Sequence, residues 1–165
     1  MSSIKKRRRE GKTNYSKRLK ILRGERPRIV VRKTNKYIVA QYVKSFESKD
    51  SVEIGLTSKK LLKYGWPKEL GGSLKSIPAT YLTGLLLGKM ILEKDKNSSP
   101  IIDFGIQTAV HKSRIYSFIK GIVDSGLEIK YKKETLPESE RVEGRHMKKD
   151  IEKVINDVKN KILKN

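Results

Sequence analysis

Between Pro78 and Glu93 nearly every face of a helical projection is apolar, and Gly84 and Gly88 lie four residues apart along it. A helix that is apolar all round has no face to give to water, so it must be enclosed by other elements. The two glycines clear a strip along which another backbone can approach closely. Pro78 suits the first turn, where its missing N–H costs nothing. The same stretch is not a membrane span: Thr80, Thr83 and Lys89 interrupt Ala79 to Leu92, which falls short of the roughly 20 residues a bilayer requires. A chain of 165 residues then has room for one core plus extensions.

The layer that encloses this helix is legible on both sides of it. Ile29-Val30-Val31 and Tyr37 to Val43 are rich in β-branched and aromatic residues and flank Thr34-Asn35-Lys36, which reads as a tight hairpin turn. Tyr37 and Tyr42 differ in parity, so one of them at most faces outward. A third strand is predicted from about Ser51 to Leu56. Thr57 or Ser58 then caps a short helix closed by Gly65, and Gly71-Gly72-Ser73 reads as a flexible loop before the buried helix. Beyond it, Ile101-Ile102-Asp103-Phe104 has the short apolar run of an interior strand. Ser113 is placed to cap a further helix, in which Ile115, Phe118, Ile119 and Ile122 recur at helical spacing and which Gly126 ends, with Leu127 making the accompanying contact. The pattern predicts an α/β (α+β) fold: a mixed sheet of about four strands, in the order β-β-β-α-α-β-α, flanked by helices. Residues 131 to 145 are densely charged and broken by Pro137, and are expected to run as an extended surface segment. Met147, Ile151, Val154, Ile155, Val158 and Ile162 then form the stripe of a C-terminal amphipathic helix, whose mixed-sign polar face suits docking onto protein. The expected domains are a basic arm at 1–26, a globular mixed-sheet domain at 27–130, and the extended segment with its helix at 131–165.

Charge points to the partner. Fifteen of the 39 lysines and arginines fall in the first 36 residues, against Glu10 and Glu25, so +13 of the net +21 sits there. Lys5-Lys6-Arg7-Arg8-Arg9, Lys12, Lys17 and Arg18 repel one another and offer little to bury, so the arm alone should be a mobile tail. On a polyanion each such cation displaces condensed counterions, giving affinity that falls steeply with salt. The sequence opens without the apolar run that must follow the basic residues of a secretory signal, so a cytosolic location is expected. With no cysteine and only His111 and His146, neither disulfides nor a structural zinc site is expected.

Two further basic sites lie in the domain. The hairpin from Pro27 to Ile38 sets Arg28, Arg32, Lys33, Asn35 and Lys36 around its turn, though a solvated hairpin tip would carry the same lysines. Tyr15 could stack on an exposed base. His111, Lys112, Ser113 and Arg114 stand where a strand leads into a helix N-terminus, whose N–H groups and positive dipole favour anions. Many such loops bind nothing. Asp103, at the end of an apolar strand, sits where metal-dependent nucleases place a carboxylate, but Asp50, Glu53 and Asp124 complete no catalytic spacing. Phosphate-cradling glycine loops and nucleophile elbows are missing from the sequence too, so no enzyme and no cofactor is expected.

Arg7 to Tyr15, Pro27 to Lys36, Lys63-Tyr64-Gly65-Trp66, Ile77 to Gly88, Asp103-Phe104-Gly105, Ser113-Arg114, Lys120-Gly121 and Gly126-Leu127-Glu128-Ile129 together resemble the archaeal large-subunit ribosomal protein eighteen family. Bacterial members and the eukaryotic 5S rRNA-binding protein are relatives, and the likeness covers about residues 5 to 146. It implies a structural protein that binds 5S rRNA and helps seat it beside 23S rRNA on the central protuberance, among neighbouring large-subunit proteins. The family's RNA contacts carry over to Arg7, Arg8, Arg9, Lys12 and Tyr15, to Arg32, Lys33, Asn35 and Lys36, and to Lys112, Ser113 and Arg114. The loop Gln107 to Lys112 departs from the proline and glycine usual among archaeal relatives. On charge alone, a general nucleic-acid packaging protein is an equal reading, and a nuclease built on Asp103 is a third.

Overall fold

A computed structural model describes residues 4–47, 49–69, 74–108, 110–145, 147 and 150–164. The expected Gly71-Gly72-Ser73 loop, Ala109 and His146 lie outside the described residues.

The arm forms two helices, α1 (Lys6–Arg9) and α2 (Tyr15–Leu22), and neither buries a residue. This differs from the mobile tail expected of the arm alone. Asn14 caps α2 by accepting from the Lys17 N–H, and α2 is then tied to the domain by side chains.

The sheet follows the expected order. Strands β1 (Arg28–Lys33), β2 (Ile38–Phe46), β3 (Lys49–Thr57) and β4 (Ile101–Asp103) lie side by side as β3-β2-β1-β4, with β1 antiparallel to β2 and parallel to β4. The β1–β2 turn is locked by Thr34, whose hydroxyl accepts from the Tyr37 N–H at 3.0 Å while its own N–H donates to the Tyr37 carbonyl at 2.9 Å. Alternation sends Ile29 and Val31 of β1, and Ile38, Ala40 and Tyr42 of β2, into the core. Tyr42 is therefore the buried tyrosine of the pair. Its hydroxyl meets Asp95 and Ser98, whereas the half-buried Tyr37 lies under the Lys59 ammonium.

A 3-10 helix at Ser58–Tyr64 ends at Gly65, and Ser58 accepts from the Ile38 N–H rather than capping the helix. Helix α3 (Ile77–Lys94) is capped by Ser76 and is enclosed on nearly all sides, as its apolar faces require. It packs on the sheet through β2 and β3, and on α4 (Arg114–Asp124) through the glycine strip. A methyl group at Gly84 would overlap the Phe118 carbonyl oxygen, and one at Gly121 would overlap that of Tyr81, so each helix supplies a glycine to the crossing. Gly88 faces the Ser125 side chain rather than a carbonyl.

The segment after α4 is less extended and less superficial than its charge suggests. A 3-10 turn at Lys133–Thr135 and a short α5 (Ser139–Val142) bury Thr135 and Val142. Helix α6 (Asp150–Lys164) lays Ile151, Ile155, Val158 and Ile162 into the same continuous core, packing on α3 and on the 3-10 helix. Lys89 of α3 donates to the Ile162 and Leu163 carbonyls, satisfying two groups that a helix end leaves open.

Candidate nucleic-acid interface

The arm, the end of β1 and the loop after β4 meet around an open cleft of about 850 Å³. Arg7, Lys12, Tyr15, Lys17 and Arg18 come to it from the arm and Arg32 from β1, with Phe104, Gly105 and Gln107 on the far wall. Two side chains hold the arm there. Lys17 donates to the Gly105 carbonyl at 3.2 Å, and Arg18 pairs with Asp50 at 2.7 Å. Closer to the N-terminus, Lys5 lies 4.9 Å from the Tyr15 ring centre, Arg7 donates to the Thr13 hydroxyl and Lys12 pairs with Glu10. Lys6, Arg8 and Arg9 stand exposed on α1.

Two acids, Asp103 in the cleft's lining and Asp50 outside it, explain the local geometry. Asp103 accepts from the Gly105 N–H at 2.7 Å, which turns the chain sharply out of β4 through a positive φ of 66° at Gly105. A side chain at 105 would also press on the Arg32 guanidinium. Arg32 donates to the Asp103 carbonyl at 2.7 Å and to its carboxylate at 3.3 Å, so this half-exposed cation is oriented rather than loose. Asp50 collects Arg18, Arg28 and the Ser45 hydroxyl. Burial pushes its carboxyl up, but the Ser45 and Arg18 hydrogen bonds and the Arg28 charge outweigh that and hold it below the usual carboxylate range.

Arg28 is corrected by the structure. Expected among the outward cations of the hairpin, it is only 2% exposed, with its guanidinium 2.6 Å from Asp50 and 3.9 Å from Asp103. It organises the two acids from beneath, and its guanidinium is turned inward to them and not outward to solvent. Asp103, weighed as a nuclease carboxylate, is 9% exposed and engaged with Gly105 and Arg32. Among the described residues, no group of three or more metal-ligating side chains gathers.

Lys33, Asn35 and Lys36 stand exposed at the hairpin tip, outside the cleft. The Gln107 side chain donates to the Lys33 carbonyl at 3.4 Å, so the loop after β4 leans on the base of that hairpin. The third expected cluster forms a separate corner. Lys112, at a φ of 55°, pairs with Glu138 at 2.7 Å and donates its N–H to the Thr135 carbonyl. His111 is exposed and packs edge-on to Tyr116, and Arg114 opens α4 into solvent. Ser113 has the backbone of an N-cap, but its hydroxyl makes no capping bond and finds no partner among the described residues. Sequence reading missed Gln107's contact with Lys33 and Asp50's hold on the arm. Neither has a local signal, because the partners lie 74 and 32 positions apart.

The chain matches, over residues 2–100, the family described as ribosomal large subunit proteins 60S L5 and 50S L18. It is 42% identical over 149 residues to the large ribosomal subunit protein uL18 of Korarchaeum cryptofilum, covering 90% of this chain and 74% of the relative. The uL18 of Methanosphaera stadtmanae is 40% identical over 155 residues, covering 94% and 78%. The uL18 of Methanococcoides burtonii is 38% identical over 163 residues, covering 96% and 91%.

Proposed function

We propose, because this chain belongs to the family of the large-subunit ribosomal proteins 60S L5 and 50S L18, that it binds 5S rRNA and helps attach it to 23S rRNA at the central protuberance. Family membership makes it a structural protein of the large ribosomal subunit and not an enzyme. The observation that carries the finer reading is the cleft, in which Arg7, Lys12, Lys17, Arg18 and Arg32 converge beside Tyr15.

Phosphate contacts to such cations fix position, and the shape of the surface then selects a particular folded RNA. The arm of residues 1–26 and the domain of 27–130 both contribute oriented charge, while Lys6, Arg8 and Arg9 on α1 stand exposed. Arg32 is pre-set by Asp103 and Arg18 by Asp50, so less side-chain freedom is lost when phosphate arrives. Lys33, Asn35 and Lys36 extend the surface along the hairpin. Lys112, Ser113 and Arg114 extend it at the α4 N-terminus, where free N–H groups favour a phosphate. The 131–165 region, with α6 built into the core, braces the domain and leaves its polar face to neighbouring ribosomal proteins.

Retention of labelled 5S rRNA by the purified chain at moderate salt tests this, with an unrelated structured RNA of equal length and a duplex DNA as competitors. Preferential retention of 5S rRNA is expected. Displacement by both competitors as effective as that by unlabelled 5S rRNA would indicate general nucleic-acid packaging instead.

A further inference from the structure

We propose that the groove along the free edge of β4 holds one unpaired ribonucleotide, its base against an aromatic wall and its phosphate at Lys130 and Lys132. The inference rests on the RNA-binding reading above but concerns a second groove, which adjoins the first cleft at Phe104. The groove, of about 610 Å³, runs between β4 and the chain at 130–132. That size is in the range of sites for small organic groups.

Its wall is aromatic. Phe104 and Tyr116 have ring centres 6.4 Å apart and tilted, and His111 meets Tyr116 edge-on at 5.9 Å. Phe104 and Tyr116 are fixed by packing on the core, while Tyr131 closes the outer side at 39% exposure. Rings held in this way offer stacking faces without first losing freedom, and every base has a face to stack. The charge is of one sign. The titratable residues of the lining are Arg26, His111, Lys130, Tyr131, Lys132 and Tyr116, with no Asp or Glu, whereas the other two large clefts each contain acids. Arg26 is held back by the Ser99 carbonyl, so Lys130 and Lys132, both exposed, are the cations left for a phosphate.

The backbone adds a means of reading a base edge. Ile101 donates its N–H to the Pro27 carbonyl on the β1 side, and peptide groups alternate in direction along a strand, so the Ile102 N–H and C=O face the open edge. Aromatic faces, lysines and an adjacent donor–acceptor pair suit a splayed-out nucleotide rather than a paired one, whose base is stacked within its helix.

The test measures binding of the full chain, at a salt concentration that suppresses long-range attraction, to a single-stranded oligoadenylate of about six nucleotides and to an RNA duplex of equal charge. Tyr131→Leu keeps apolar bulk at an exposed position and removes the ring. It is expected to weaken oligoadenylate binding about tenfold and to leave duplex binding unchanged. No loss, or an equal loss on both probes, overturns the proposal while leaving 5S rRNA retention to stand for the reading beneath it. If the wild-type chain retains none of these RNAs, both fall together. Binding of an oligoglutamate peptide with the same dependence on Tyr131 would make the groove a peptide site and also overturn the assignment.

Discussion

Arg28 Nη2 lies 2.6 Å from the Asp50 carboxylate, with the arginine sealed from solvent and the acid at the surface. The other oxygen of that carboxylate holds Arg18 of the arm at 2.7 Å. One acid on β3 thus joins a cation inside the sheet to a cation of the candidate interface. The arrangement makes Asp50 the point at which fold and arm can be separated experimentally.

Asp50→Ala leaves the Arg28 guanidinium buried with only Ser45 and the more distant Asp103, and is expected to lower stability by about 2 kcal/mol. Because Arg18 loses its anchor as well, amides of α2 should exchange faster with solvent than in the wild type. Chemical denaturation and hydrogen exchange measure the two effects. A stability loss below about 0.5 kcal/mol, the range of an ordinary surface substitution, would remove Asp50 from this role.

The same carboxylate gives a direction to the acid response. Its pKa is lower in the folded chain than the roughly 3.9 of an unfolded aspartate, so its stabilising contribution is intact above about pH 4 and is lost as pH falls through the folded value. Asp95, held low by Lys44 and by the Tyr42 hydroxyl, acts in the same window. Melting temperature should therefore fall below about pH 4, and Asp50→Asn should flatten that fall. An unchanged acid limb in the variant would contradict the assignment.

Gly84→Ala and Gly121→Ala each drive a methyl group into a facing carbonyl of the α3–α4 crossing and are expected to cost about 1–3 kcal/mol, since backbone cannot step aside as a side chain can. Gly88→Ala instead meets the Ser125 side chain. Adding Ser125→Gly to it should recover part of the loss, and should recover nothing for Gly84→Ala. Equal rescue of both would mean that the helices separate rather than clash locally.

Lys36→Glu and Arg28→Met should have opposite signatures. Lys36 is exposed at the hairpin tip, so reversing its charge should weaken RNA retention while changing stability by no more than about 0.5 kcal/mol. Arg28→Met should leave Asp50 and Asp103 facing one another without their shared cation, and lower the melting temperature. A large melting shift for Lys36→Glu would make that lysine structural.

Removal of residues 1–12 takes away Lys5, Lys6, Arg7, Arg8, Arg9 and Lys12. Affinity for RNA should fall, and the dependence of log affinity on log salt should flatten by up to about 0.9 per cation that met a phosphate. A slope equal to that of the intact chain would place the arm outside the interface.

Much of this molecule was legible in its sequence. The apolar faces of α3, the hairpin around Thr34, the glycine-terminated helices and the stripe of α6 are all patterns with periods of a few residues, and burial enforces them locally. The family was legible too, because several motifs fall in one order. Tertiary structure decided which charges face outward. Arg28 and Arg32 sit four positions apart on one strand, so parity gives them the same face, yet one is sealed over two acids and the other stands at the mouth of a cleft. Only the meeting of Asp50 from β3 with Asp103 from β4 makes burial of the Arg28 charge tolerable, and no spacing along the chain records that meeting. The groove at β4 has the same origin: its aromatic residues and lysines come from separate segments and share a site only after the sheet has formed.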